Sequence, residues 1–268
     1  MFVQESQNYL SLLFKQKYKK RLRYFIELSY NGRAYHGWQN QPNAISVQEV
    51  IEKALSTLLG EPVAIVGAGR TDAGVHAKQL FAHFDSEVAF DESNLVYKLN
   101  SFLPNDIAIH DLFRVKPHAH ARFDALSRTY LYRIALRKDA FTFNNAYYVK
   151  QALDVAKMQE ASKVLFGYKD FQCFSKSNTD VKTYHCTMMQ CDWNLEGGEL
   201  QLTIKADRFL RNMVRAIVGT MINIGCGKLE TEDLHRIIES KSRSEAGFSV
   251  PAHALYLVEV AYPNDIKL

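Results

Sequence analysis

The chain has 268 residues, 47% hydrophobic and 23% charged, so it can fill one large domain or two modest ones, and disordered or collagen-like classes are excluded. A net charge of only +4 does not announce a nucleic-acid partner, which would need a local basic surface. Four cysteines, Cys173, Cys186, Cys191 and Cys226, form neither a C-x-x-C pair nor a zinc spacing, and read as reduced core thiols rather than a secreted disulfide framework.

The densest basic run, Lys15 to Arg23, precedes the first strand and reads either as a solvated tail or as a nucleic-acid contact. The apolar run Leu10 to Phe14 is shorter than a signal-peptide core, and nothing approaches a membrane span, so a cytosolic protein is expected. Arg21 to Tyr30 alternates as a strand and Asn31-Gly32 marks a turn. Ser46 and Glu49 have capping-box spacing before a helix whose apolar face is Val47, Val50, Ile51, Ala54, Leu55 and Leu58, with Gly60 as its stop. Strands Val63–Val66 and Leu80–Phe84 flank a polar turn, and after them come a helix near 92–102 and a strand near 107–115. The order β-α-β-β-α-β is ferredoxin-like.

The second half repeats that order without repeating the sequence. Arg128 to Leu136 alternates, Ala152 to Phe166 is helical, and Thr183–Leu195 pairs with Glu199–Ala206 across Gly197-Gly198. A helical stripe runs from Phe209 to Ile222 and ends at Gly225, Thr231 is placed to cap a further helix, and Leu255–Tyr262 closes the half as a strand. The expected fold is α+β, with a basic extension over 1–20, a first half over 21–117 and a second over 118–268. Their mainly antiparallel sheets would lie edge to edge or face to face around a cleft.

Asp72 sits at the tip of Gly69-Arg70-Thr71-Asp72-Ala73-Gly74-Val75-His76, a short turn whose glycines let the backbone approach a ligand closely. An Asx-type turn with a solvated Arg70 is the alternative for the bare tripeptide. The glycine spacing is that of a phosphate loop, but Val75-His76 stands where lysine and serine or threonine are required, and no G-x-G-x-x-G is completed, so nucleotide cofactors have no support. His118-Ala119-His120 lacks further ligands at a recognised spacing, so no metal is expected. Alternation puts Arg128, Tyr130 and Tyr132 on one strand face, which suits either a half-buried sheet or stacking on an unstacked base. Arg211 and Arg215, four apart, border the apolar stripe of the long helix as a basic edge.

Five ordered segments together resemble the TruA family of tRNA pseudouridine synthases, over roughly Arg21 to Pro263. They are Tyr30-Asn31-Gly32-Arg33-Ala34-Tyr35-His36-Gly37-Trp38-Gln39, the G-A-G-R-T-D-A-G-V-H-A turn, Ala121-Arg122-Phe123 through Tyr130, Phe209 through Arg215, and Arg243 to Gly247 with Leu255-Tyr256-Leu257. Ala254 stands where that family usually has glycine. The resemblance implies that Asp72 is the catalytic residue, that Tyr130 packs on the target base and that Arg215 pairs with Asp72. Arg70, Arg122, Arg128 and Arg211 are the expected RNA contacts.

The resemblance further implies an isomerase that converts uridine to pseudouridine at tRNA positions 38 to 40 without a cofactor, as a homodimer whose tRNA touches both subunits. A non-catalytic tRNA-binding protein would use the same basic cleft without needing an aspartate held by an arginine. A hydrolase with paired carboxylates would want a second acid, and the motifs supply one.

Overall fold

The computed structural model describes residues 21–177 and 181–268. The expected basic extension therefore lies outside the described residues. The first half is built from strands β1 (Leu22–Tyr30), β2 (Val66–Gly67), β3 (His76–Ser86) and β4 (Ile107–Arg114) with helices α1 (Val47–Leu59) and α2 (Glu92–Phe102). The second half comprises β5 (Ser127–Ala135), β6 (Tyr147–Tyr148), α3 (Val155–Val164), β7 (Met188–Glu196), β8 (Glu199–Ala206), α4 (Met213–Gly225), α5 (Thr231–Ser240) and β9 (Leu255–Ala261).

The nine strands of the described residues form one sheet in the order β4-β1-β3-β9-β5-β8-β7, with β2 on β3 and β6 on β5. Within it, β4-β1-β3-β2 and β9-β5-β8-β7 are each the order that a β-α-β-β-α-β unit gives when its strands pair as a ferredoxin-like sheet. The two halves meet edge to edge, through a parallel pairing of only His76 with Tyr256 and Ala77 with Leu257. Beyond those two residues β3 is paired instead with β2, at Val66–His83 and Gly67–Ala82. The loop between β2 and β3, which carries Asp72, thus starts and ends beside the seam where the halves join.

Each half has its own core. Ile51, Ala54, Leu55, Leu95 and Leu99 of α1 and α2 pack with Tyr24, Ile26 and Leu28 of β1. Met158, Ala161, Ile217, Met221, Leu234 and Ile237 of α3 to α5 pack with Tyr132, Ile134, Leu202 and Ile204. Tyr130 touches both cores. Along β5 the residues 128, 130, 132 and 134 share a face by the two-residue strand period, and Tyr132 and Ile134 are fully buried.

Several element ends differ from the sequence reading. The long apolar stripe becomes helix only at Met213, because Asn212 takes a left-handed backbone (φ 68°), so Arg211 lies in the preceding turn rather than on the helix. Thr231 is the first helical residue of α5 rather than its cap; the cap falls on Glu230, whose N–H donates to the Asp233 carboxylate at 2.9 Å. Three of the four thiols are buried as expected, while Cys226, at the end of α4, is only half-buried. No helix among the described residues is long and apolar enough to cross a membrane.

Candidate active site

The segment 30–38 forms a cradle around the Asp72 turn. The Trp38 amide donates to the Thr71 carbonyl at 3.3 Å, and the Gly74 amide donates to the Tyr35 carbonyl at 3.3 Å. The hydroxyls of Tyr30 and Thr71 share a 2.8 Å hydrogen bond. Gly37 has a φ of +93°, and its α-carbon faces the Thr71–Asp72 peptide so closely that a methyl group there would overlap the Thr71 carbonyl oxygen. Past the turn, His76 accepts the Gly32 amide at Nδ1 (3.1 Å) and donates from Nε2 to the His253 carbonyl (3.0 Å). This fixes the neutral tautomer, and burial lowers the pKa of the ring in the same sense. Ala254 is buried in the turn Ala252–Ala254 next to that carbonyl.

Asp72 is held by two arginines, one on each carboxylate oxygen. Arg215 Nη1 lies 3.2 Å from Oδ2, and Arg211 Nε lies 3.6 Å from Oδ1. Arg215 is itself anchored, since its Nε donates to the Val250 carbonyl at 2.7 Å and its own carbonyl accepts the Val250 amide at 3.3 Å. The segment bearing Val250 lies flat on α4 because Gly219 has no side chain; a methyl there would overlap the Phe248 carbonyl. The Gly247 amide donates to Thr220 Oγ1 at 2.8 Å, and Arg243 braces the segment through the Gly247 carbonyl and Ser249 Oγ. Asn212 reaches the same Ser249 hydroxyl at 2.7 Å, which ties the turn before α4 to it. Arg243 and Gly247 thus fix the segment whose Val250 carbonyl accepts from Arg215.

Tyr130 stands between the cores, with the ring of Phe209 edge-on at 5.2 Å. Burial pushes its phenol up to about 12; Arg128 opposes that shift and the charge of Asp72 adds to it, which places Tyr130 in the electrostatic reach of the aspartate. Arg128, two residues before Tyr130 on β5, is engaged with backbone oxygens of the protein itself. Its guanidinium donates from both terminal nitrogens to the carbonyls of Ala68 (3.0 Å), Arg122 (2.6 Å), Ala125 (3.0 Å) and Asp207 (2.8 Å), so four of its five N–H donors are engaged inside the protein. In this arrangement Arg128 ties backbone of the first half, at Ala68, to backbone of the second, at Asp207.

Arg70 is exposed and has no ion-pair or hydrogen-bond partner among the described residues. Arg122 is also exposed, its guanidinium 5.7 Å from the centre of the Phe123 ring, and no contact brings it to Asp72. The loop carrying it is pinned by the Ala121 amide on His83 Nδ1 (3.1 Å) and by the Asp124 carboxylate on the His120 amide (2.8 Å). Among the described residues no group of three or more His, Cys, Asp or Glu side chains could hold a metal ion.

The Val250 carbonyl, Phe209 and Gly37 take part in this arrangement without having been singled out individually from the sequence. Gly37 was within reach of it, inside the Tyr30–Gln39 segment. Val250 carried no signal, because its contribution is a backbone oxygen.

The chain matches the family model described as tRNA pseudouridine synthase over residues 28–124 and 161–263, segments that include Asp72, Arg122, Arg211 and Arg215 but not the Tyr130 strand. It is 53% identical to the "tRNA pseudouridine synthase A" of Parabacteroides distasonis over 91% of this chain and 97% of that protein. It is 52% identical to the protein of that name from Bacteroides fragilis, over 91% and 98%. With the one from Bacillus licheniformis the identity is 40%, over 88% and 98%. The chain belongs to the tRNA pseudouridine synthase family.

Proposed function

We propose that this chain isomerises uridine to pseudouridine in tRNA, at positions 38 to 40 of the anticodon arm, with Asp72 as the residue that reacts at the ribose. The observation that carries the reading is an aspartate presented near the seam of the two halves, with one oxygen on an arginine that is itself anchored to a backbone carbonyl. A protein that only bound tRNA would gain nothing from a carboxylate there, since a negative charge repels the RNA backbone.

The reaction detaches uracil at N1, rotates it and rejoins it through C5, so atoms and electrons balance without an external reagent. Asp72 either attacks C1′ or removes the 2′ proton to give a glycal. The target base must leave its stack, at a cost of a few kcal/mol, and Tyr130 supplies a ring for it to stack on. Arg70 and Arg122, exposed at the surface, position the RNA backbone. The halves over 21–117 and 118–268 each contribute to the site, the first through Asp72 and the second through Tyr130 and Arg215. The working form is a cytoplasmic homodimer whose tRNA touches both subunits, as in the family that the sequence resembles.

The test is incubation with an unmodified tRNA transcript and then chemical mapping of pseudouridine. Product at one or more of positions 38 to 40 is expected, and a transcript left unmodified at saturating enzyme would reject the reading. Tyr130 gives a second, graded check. Tyr130→Ala is expected to weaken capture of the flipped base by about 1–3 kcal/mol, the worth of one base–aromatic stack. Tyr130→Phe keeps the ring and is expected to retain binding. Its single-turnover rate then reports whether the hydroxyl takes part in moving the C5 proton. Normal binding and turnover in the alanine variant would remove Tyr130 from the site.

A further inference from the structure

The two arginines on Asp72 differ in how they are held, and the difference suggests separate duties. Arg215 is fixed from two sides: its Nη1 meets Asp72 Oδ2 while its Nε is bonded to the Val250 carbonyl, and its side chain is only 20% exposed. Arg211 projects from the turn before α4, is 59% exposed, and lies 3.6 Å from Oδ1, near enough for an ion pair but too far for a hydrogen bond. Among the described residues no other partner engages its guanidinium; only its backbone carbonyl is used, by the Lys176 amide at 3.0 Å. An exposed ion pair of this kind is worth roughly 0.2–1 kcal/mol, so a stronger anion can displace it.

A substrate supplies such an anion. The ribose that reacts with Asp72 is flanked by two phosphates, so seating it brings negative charge toward a carboxylate and requires a cation between them. Resting on the assignment of Asp72 above, we infer that Arg211 is an exchangeable counter-ion. In the free protein it covers Asp72 Oδ1, and on tRNA binding it transfers to a phosphate beside the target nucleotide. The transfer leaves Arg215 on Oδ2 and makes Oδ1 the oxygen that faces the ribose. Arg211 is a positioning residue on this account: it places the substrate and uncovers the reacting oxygen without touching the reacting atoms.

The experiment is a double-mutant cycle in tRNA binding with D72N, R211Q and the double variant, read by filter binding of an unmodified tRNA transcript over a salt series. Single-turnover rates of wild type, R211Q and R211K are measured alongside. R211Q is expected to weaken binding and to reduce the slope of log affinity against log salt by about 0.7–0.9, the loss of one phosphate contact, with R211K restoring the slope. Its rate at saturating tRNA is expected to stay within a few-fold of wild type. D72N, which frees Arg211 in advance, is expected to tighten binding about two- to fivefold more when Arg211 is present than when it is glutamine. Additive effects of D72N and R211Q on binding, or an unchanged salt slope in R211Q, would overturn the exchange. A saturating rate in R211Q as low as that of D72N would overturn the positioning role and make Arg211 part of the chemistry. Should D72N itself turn over normally, the assignment of Asp72 fails instead, whatever the binding cycle shows.

Discussion

Replacing Asp72 with asparagine is expected to abolish pseudouridine formation while the protein remains folded and still holds tRNA. The amide keeps the shape of the side chain but removes its charge and its capacity to attack carbon or accept a proton. The drop in single-turnover rate is expected to be about 10⁴-fold or more, the scale met when a bond-forming residue is lost. The turn itself does not depend on the carboxylate, because it is closed by the Val75 amide on the Asp72 carbonyl (3.1 Å) and by bonds from Trp38 and Tyr30 to Thr71. Arg215 also keeps its bond to the Val250 carbonyl, so it is not stranded. A stability loss of only about 1 kcal/mol is therefore expected, as for a partly exposed ion pair. The measurement is product formed per enzyme in one turnover beside a thermal or denaturant melt. Loss of activity together with loss of tRNA binding would instead identify Asp72 as a structural group, and full activity in the asparagine variant would reject the proposed chemistry.

How much of this could be read from the chain varied with the kind of interaction. The strand and helix order was legible because each element carries its own periodicity, as with the Val47, Ile51, Ala54 and Leu55 stripe, all of which are fully buried. Asp72 was legible because glycines, arginine and aspartate crowd into one turn of contiguous residues. The break before α4 was not: Phe209, Leu210 and Met213 fit a helical stripe, and only the left-handed Asn212 ends it, tied by its side-chain amide to Ser249 far along the chain. The fate of Arg128 was hidden for a related reason. Its four acceptors are backbone oxygens at residues 68, 122, 125 and 207, and a carbonyl leaves no mark in a sequence. The choice between the edge-to-edge and face-to-face arrangements was equally hidden, because the joining rests on two residue pairs, His76–Tyr256 and Ala77–Leu257, in strands whose remaining partners lie in their own halves.

That dependence on backbone contacts yields the second large effect, at a glycine distant in sequence from Asp72. Gly37→Ala is expected to cut the single-turnover rate by about 10²-fold, with no change to any side chain at the reacting centre. Two costs coincide at Gly37. Its φ of +93° is a conformation that side chains resist, and an added methyl would overlap the Thr71 carbonyl oxygen, with the Asp72 carbonyl carbon and the Ala73 nitrogen within 3.3 Å of it. Backbone cannot swing aside as a long side chain can, so the 71–73 segment must move as a unit and carry Asp72 with it. A displacement on the order of 1 Å at a catalytic group is enough for a loss of that size. Destabilisation of about 2 kcal/mol is expected as well, from strain and overpacking together. Gly60→Ala separates the two costs: its φ is +72°, but no atom lies within 4 Å of an added methyl, so it should lose about 1 kcal/mol of stability and keep its rate. If Gly37→Ala turns over as fast as Gly60→Ala, the 30–38 segment does not set the position of Asp72, and the cradle is a matter of stability alone.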